Sequence, residues 1–115
     1  MTNQLVLNMV KDLKKASTKN KAPIWSKLAV MAQKPSIAKR IVNIKKINDV
    51  TKENDVVVVP GKVLGTGNIS HKITLCSFSI STSAANKVLS AGGNIINYSE
   101  MISKFPTGKG VRIIG

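Results

Sequence analysis

The sequence predicts an α/β fold: an irregular β-β-α superhelical core of short strands, preceded by two N-terminal helices. Three observations support this: helical spacing of apolar residues before residue 35, short β-branched runs after residue 41, and a serine-led apolar stripe at 81–93. A chain of 115 residues has the usual length of one domain. We therefore expect a single domain over 1–115, with a basic helical region at 1–35 and the β/α core at 36–115.

The N-terminal region contains two amphipathic patterns. A helix that Thr2 can cap has these apolar residues on one face: Val6, Met9, Val10, Leu13 and Ala16. A second helix is expected to begin at Pro23, which suits a first helical turn, and to end before Pro35. Its predicted inward face consists of Ile24, Leu28, Met31 and Ala32. Residues 14–23 are interpreted as a short basic connector.

The β/α core begins with strand patterns. "IVNI" (41–44) is short and β-branched, and "DVVVV" (55–59) is typical of a strand buried on both faces. "KVLG" (62–65) is expected to return beside that strand through a turn at Pro60–Gly61. "TLCSFSI" (74–80) alternates apolar residues with serines, which predicts a strand with one wetter face.

Two helices and two strands complete the prediction. Ser81 to Ser83 can cap a helix that ends at Gly92–Gly93. The apolar stripe of this helix is Ala84, Ala85, Val88 and Leu89. "NIIN" (94–97) is a short strand, Ser99 caps a final helix that ends at Lys104, and "VRII" (111–114) is the last strand.

Basic residues dominate the charge. Eighteen Lys and Arg face five Asp and Glu, which gives a net charge of +13 and a pI near 10.3. Residues 1–50 contribute +9 of this charge and residues 51–115 contribute +4. Such an excess repels itself unless a polyanion screens it, and nucleic acid is the commonest such partner. An anionic membrane surface is the next candidate.

Two negative features narrow the class of protein. A single cysteine excludes an internal disulfide and a multi-cysteine zinc site. No apolar run approaches the roughly 20 residues that cross a bilayer, and the polar N-terminus is not a signal peptide. We therefore expect a soluble intracellular protein.

The stretch "VVVVPGKVLGTGNISHK" (56–72) resembles a phosphate-binding loop after a buried strand. It lacks the spacing of a Walker A loop, because Lys62 follows the first glycine directly. It also lacks the dinucleotide fingerprint, because Ser70 occupies the third glycine position and a strand pattern follows. Two interpretations remain: a glycine-rich hairpin, or a loop whose small residues let a phosphate chain approach while Lys62 and Lys72 neutralise it.

Residues suited to catalysis are isolated in the sequence. His71 has no nearby Asp, Glu or Cys to complete a dyad, so we expect it to contact solvent, backbone or nucleic acid. Cys76 lies at an apolar strand position and is interpreted as a small core residue. The five carboxylates are scattered, and no metal constellation is present. The sequence therefore predicts neither catalysis nor a cofactor.

The basic residues form the candidate binding surface. Lys39–Arg40 and Lys45–Lys46 are the densest pairs. Others line the helices and the connector: Lys11, Lys14, Lys15, Lys19, Lys21, Lys27 and Lys34. Aromatic residues make up only 3% of the chain, which disfavours single-strand readers that stack bases. The pattern favours phosphate and 2′-hydroxyl contacts with folded RNA, and no helix-turn-helix or zinc-finger signature indicates DNA reading.

Several of these segments, in this order, resemble one known family. The strings "NIKKIN", "VVVVPGKVLGTGNISHKITLCSFSISTSAANKVLSAGGNIINYSEM" and "PTGKGVRIIG", together with "APIWSKLA", are similar to the archaeal and eukaryotic large-subunit ribosomal protein L-eighteen-e family. That family is related to bacterial protein L-fifteen, and the similarity covers nearly the whole chain. The long extensions of the eukaryotic form are missing, which implies an archaeal version.

The resemblance implies a structural protein of the large ribosomal subunit, in the cytoplasm, with large-subunit rRNA and neighbouring ribosomal proteins as partners. It implies no enzyme activity, metal, cofactor, small-molecule substrate or membrane. It assigns rRNA contact by position to Lys62, Gly65, Gly67, Lys72, Lys109 and Arg112. The alternative is a free chromatin or general RNA-binding protein; a small nucleotide-binding enzyme and a membrane-surface protein are weaker rivals.

Together these arguments define the expected rRNA-binding set. It contains fifteen basic residues and two glycines: Lys14, Lys15, Lys19, Lys21, Lys27, Lys34, Lys39, Arg40, Lys45, Lys46, Lys62, Gly65, Gly67, His71, Lys72, Lys109 and Arg112.

Overall fold

The computed structural model describes residues 4–33 and 40–114. The helices in these ranges are α1 Gln4–Asn20, α2 Pro23–Gln33, α3 Ile44–Val50, α4 Thr82–Ser90 and α5 Tyr98–Lys104. The strands are β1 Ile41–Asn43, β2 Asp55–Leu64, β3 Ile73–Ile80, β4 Asn94–Ile95 and β5 Val111–Ile113. The mixed α/β class and the two helices before the strands are confirmed. No helix in the described part of the chain is long and apolar enough to cross a membrane.

The first helix is longer than predicted. It runs to Asn20, so only Lys21 and Ala22 join it to α2, and the predicted connector over 14–23 is wrong. In the last turns, Thr18 Oγ1 donates to the Lys14 carbonyl at 3.2 Å and Asn20 Nδ2 donates to the Ala16 carbonyl at 3.0 Å. The predicted inward face is confirmed at Val10, Leu13 and Ala16, which are buried. The Thr2 cap and the Val6 side chain lie outside what the structure describes.

The second helix begins at Pro23 as predicted and presents a tryptophan to the core. Trp25 is 0% exposed, and its indole Nε1 donates to the Pro106 carbonyl at 2.7 Å. Of the predicted inward face, Leu28 and Ala32 are buried, whereas Ile24 and Met31 are half-buried. The Trp25 bond therefore ties the N-terminal helices to the turn after α5, 81 residues along the chain.

The sheet is parallel throughout its five described strands. Its order is β1-β2-β3-β4, and β5 also pairs with β2. The first half of β2 pairs with β5 and its second half pairs with β1, so these two short strands follow one another along the same edge of β2. Parallel neighbours need crossover connections, and α3 supplies the one between β1 and β2.

The prediction of a turn at Pro60–Gly61 is wrong, because β2 continues through these two residues to Leu64. The register against β3 shifts between Val59 and Lys62, which is the mark of a bulge in β2. Gly61 packs on the Arg40 carbonyl, where an added Cβ would lie 2.6 Å from the oxygen. "KVLG" therefore pairs with β1 in parallel and does not form a hairpin.

Helices cover both faces of the sheet. One core combines α1, α2 and α5 with Val58 and Cys76, and the other combines α3 and α4 with Val57, Val59 and Leu75. The alternation of these valines confirms that β2 is buried on both faces. The helix α3 was not predicted. Only Ile44 and Ile47 of "IKKINDV" are buried, so its sequence has a weak apolar pattern.

The C-terminal elements follow the prediction with two exceptions. Ser81 caps α4 as expected, with its hydroxyl accepting the Ala84 N–H at 3.1 Å. Leu89 is 54% exposed, so the inward stripe of α4 is narrower than predicted. The cap of α5 is Asn97 and not Ser99, because its side-chain oxygen accepts the Glu100 N–H at 2.8 Å.

Candidate nucleic-acid interface

Three strands end together at the carboxyl edge of the sheet. Asn43, the last residue of β1, is in register with Leu64, the last of β2, and Val63 is in register with Ile80, the last of β3. Behind these ends follow α3, the loop from Gly65 to Lys72 (the glycine loop) and α4. In open α/β sheets this edge is the usual place for a ligand site.

The chain segments that meet at this edge are purely cationic. Residues 40–46, 62–68 and 80–88 contain no Asp or Glu. They carry Arg40, Lys45, Lys46, Lys62 and Lys87. Lys45, Lys46 and Lys62 are exposed, and Arg40 is half-buried. We name Arg40, Lys45, Lys46 and Lys62, with the backbone of Gly65 to Asn68, the carboxyl-edge surface.

The glycine loop is fixed onto α3 by hydrogen bonds. The Thr66 carbonyl accepts the Lys45 N–H at 2.9 Å, at the helix start where Asn43 provides no side-chain cap. Asn48 Oδ1 accepts the N–H of Ser70 at 3.0 Å and its hydroxyl at 3.1 Å. These contacts run along the length of α3, so the loop lies on the helix as an ordered segment.

The glycines of this loop have internal reasons for being small. A Cβ on Gly65 would lie 2.4 Å from Ser83 Oγ, and one on Gly67 would lie 2.5 Å from Lys45 Cβ. Gly67 also has a φ of +98°, which disfavours any side chain. Packing and backbone conformation within the protein already explain why both positions are glycine. Contact of Gly65 and Gly67 with RNA therefore stays a prediction. The loop leads into β3 and not into a helix, in agreement with the exclusion of nucleotide-binding motifs.

His71 anchors the far end of the loop. Its Nε2 lies 2.7 Å from Thr51 Oγ1, and that hydroxyl lies 2.6 Å from the Ile47 carbonyl, to which it must donate. The single hydroxyl proton is thereby used, so His71 Nε2 carries a proton and donates to Thr51. Among the described residues, the polar partners of the ring are the hydroxyl groups of Thr51 and Ser70.

Lys87 is the residue at this edge that sequence reasoning did not select. Its Nζ donates to the carbonyl oxygens of Gly65 and Gly67, so its charge is directed onto the glycine loop. Its position three residues after the buried Ala84 is the sequence signal that places Lys87 beside the buried face of α4. Asn68 and Lys87 also line a cleft of about 280 Å³ between the loop and α4.

A second group of predicted residues lies at the amino edge of the sheet. His71 and Lys72 precede β3, and Arg112 Nη1 donates to the Val50 carbonyl at the end of α3. Carboxylates accompany them: Glu53 Oε2 accepts the Lys72 N–H at 3.2 Å, and Asp55 is close by in β2. The amino edge therefore carries both acidic and basic side chains, and its net positive charge is smaller than that of the carboxyl edge.

A third group lies on the opposite side of the sheet from α3. Lys14, Lys15, Lys19, Lys21 and Lys27 are exposed on α1, α2 and their connection. Lys109 follows Gly108, where an added Cβ would lie 2.3 Å from Ile24 Cγ2, so its turn packs on α2. Lys34 and Lys39 lie outside the described residues. The predicted set is therefore divided among three surfaces.

No aromatic side chain among the described residues is fully exposed. Trp25 is fully buried, and Phe78, Tyr98 and Phe105 are partly buried against the same core. These are all the aromatic residues of the chain. Recognition by base stacking is therefore disfavoured, in agreement with the sequence prediction.

Cys76 is a core residue, as predicted. It is 2% exposed, and burial, together with the nearby Glu100 charge, raises the pKa of its thiol from 9.0 to about 11. A thiol held protonated is a poor nucleophile. Among the described residues, no cluster of three His, Cys, Asp or Glu side chains could hold a metal ion.

The raised pKa of Cys76 predicts loss of stability in alkali. Between pH 9 and pH 11 the unfolded thiol ionises while the folded thiol keeps its proton, so the free energy of unfolding falls as pH rises. Two pKa units correspond to about 3 kcal/mol in full, of which about 2 kcal/mol is lost between these two pH values. Urea midpoints at the two pH values are expected to fall more for the parent than for Cys76→Ala. An equal fall in both proteins would contradict the assignment.

Comparison with known proteins identifies the class. A family model described as "Ribosomal protein 60S L18 and 50S L18e" matches residues 4–115. The chain therefore belongs to this family of ribosomal proteins, which is a structural family and not an enzyme family.

Archaeal proteins named "Large ribosomal subunit protein eL18" are similar over nearly their full length. The protein of Pyrobaculum aerophilum is 43% identical over 98% of this chain and 93% of its own. That of Sulfurisphaera tokodaii is 43% identical over 92% of this chain and 90% of its own. That of Archaeoglobus fulgidus is 37% identical over 98% of this chain and 97% of its own. The resemblance inferred from the motifs is confirmed.

Proposed function

We propose that the protein is a structural component of the large ribosomal subunit that binds and stabilises folded large-subunit rRNA. It acts in cytoplasmic ribosomes beside other large-subunit proteins and catalyses no reaction. The observation that carries this proposal is the carboxyl-edge surface, where the cations of three segments meet with no carboxylate among them.

Three of the five carboxylates are hydrogen-bonded at other places in the protein. Asp55 accepts the Lys52 N–H, Glu53 accepts the Lys72 N–H, and Asp12 accepts the Tyr98 hydroxyl at 3.4 Å. These carboxylates accept hydrogen bonds from backbone or hydroxyl groups away from the carboxyl edge. Among the described residues, Lys45, Lys46 and Lys62 form no ion pair, so they can replace the cations condensed on an RNA backbone, and the release of those cations is a main source of affinity in such complexes.

Rigidity supplies the selectivity for a folded RNA. The glycine loop is bound to α3 through Thr66 and Asn48 and to α4 through Lys87. Cations carried on a fixed backbone match one spacing of phosphates better than others, so an RNA of fixed shape is favoured over a flexible strand. The amino-edge group and the lysines of α1 and α2 add to the long-range attraction.

Sedimentation of a lysate of the source organism tests this function. The protein is expected to migrate with large ribosomal subunits and to remain there after a moderate salt wash. Migration with DNA, or release into the free-protein fractions by that wash, would instead support a free nucleic-acid-binding protein.

A further inference from the structure

Lys87 sets the direction of the peptide groups around Gly67. It holds the carbonyl oxygens of Gly65 and Gly67 on the side of α4. The peptide bonds of the described residues are trans, so each following N–H points opposite to its carbonyl. The N–H groups of Thr66 and Asn68 therefore both point away from Lys87.

These two N–H groups have no acceptor in the part of the chain that the structure describes. Among the described residues, no hydrogen bond has the Thr66 or Asn68 backbone nitrogen as its donor. Both residues are exposed. Gly67 lies between them with a φ of +98°. Exposed backbone N–H groups beside a cationic side chain can donate to the phosphate oxygens of a nucleic acid.

We propose that the N–H groups of Thr66 and Asn68 donate to phosphate oxygens of an RNA backbone, and that Lys87 positions them for it. The proposal rests on the function proposed above and names a phosphate site within the carboxyl-edge surface. Lys45 borders the site, since its Cβ lies 2.5 Å from where a Gly67 Cβ would be. Its exposed ammonium group neutralises the phosphate, whereas the ammonium group of Lys87 is bound to the loop carbonyls.

Amide NMR of the full chain, titrated with inorganic phosphate, tests the site directly. The amide protons of Thr66 and Asn68 are expected to move downfield with a saturable shift. The amides of Ser70 and Lys72 serve as internal controls, because Asn48 and Glu53 already accept them. Shifts at Thr66 and Asn68 no larger than those of the controls would overturn the proposal, and this test requires no variant.

Two substitutions test the role of Lys87. Lys87→Met is expected to abolish both phosphate-dependent shifts and to lower the affinity for transcribed Pyrobaculum aerophilum large-subunit rRNA about five- to tenfold. Lys87→Arg, which keeps the donors, is expected to restore both. Lys104→Met removes the same charge from an exposed site on α5 and serves as the control. Equal behaviour of Lys87→Met and Lys104→Met would refute a positioning role.

The two measurements separate the site from the function. If the parent protein binds rRNA without phosphate shifts at Thr66 and Asn68, the site is refuted and the proposed function stands. If the shifts occur and the parent does not bind rRNA, the anion site stands and the proposed function is refuted.

Discussion

Trp25→Ala is expected to lower the free energy of unfolding by about 3 to 5 kcal/mol. The substitution removes a fully buried ring that borders the same core space as Leu13, Val58 and Met101. It also leaves the Pro106 carbonyl without the indole donor that lies 2.7 Å away. Because that bond joins α2 to the turn after α5, the loss affects the attachment of the N-terminal helices to the sheet.

Denaturation in urea checks this expectation. Val30→Ala is the matched control, because Val30 lies on the same helix and is 52% exposed; its cost is expected to stay near 0.5 kcal/mol. Trp25→Phe keeps an aromatic ring but removes the N–H donor, so an intermediate loss is expected. Similar costs for Trp25→Ala and Val30→Ala would show that the N-terminal helices are not held by this contact.

Replacing the four cations of the carboxyl-edge surface by Gln is expected to lower rRNA affinity about 100-fold or more. The variant changes Arg40, Lys45, Lys46 and Lys62, which we propose to contact phosphates directly. Each charge-assisted contact contributes roughly 1.5 to 3 kcal/mol, so even partial engagement of the four gives this loss. The fold is expected to tolerate the change, since three of the four side chains are exposed.

The N-terminal helices provide a control of equal charge. Changing Lys14, Lys15, Lys19 and Lys27 to Gln removes the same four charges from exposed positions on the other side of the sheet. Its effect is expected to be below about tenfold, because these lysines act through the long-range field, which salt screens. Filter binding with Pyrobaculum aerophilum large-subunit rRNA measures both variants. A larger loss in the N-terminal variant would show that the main surface lies on α1 and α2.

Elements whose evidence is local could be predicted from the sequence. The four valines of β2 require burial on both faces, Ser81 supplies a capping hydroxyl, and Pro23 suits a first helical turn. The predictions that were wrong depended on distant partners. Pro60–Gly61 has the composition of a turn, but pairing of the following residues with β1 continues the strand through a bulge.

The same distinction applies to the candidate site. Its charge could be predicted, because no arrangement of 18 basic and 5 acidic groups avoids a strong positive field. The division of these groups among three surfaces required the sheet topology. The contact of Lys87 with Gly65 and Gly67 joins residues 22 and 20 positions apart, so nothing in the local sequence indicates it.

The salt dependence of rRNA affinity tests the central claim most directly. The logarithm of the affinity is expected to fall linearly with the logarithm of the salt concentration, because each neutralised phosphate releases counterions and contributes about 0.7 to 0.9 to the slope. The carboxyl-edge variant is expected to lose about three units of slope relative to the parent, and the N-terminal variant less than one. A flat salt response of the parent, or an unchanged slope in the carboxyl-edge variant, would contradict binding of rRNA phosphates at this surface.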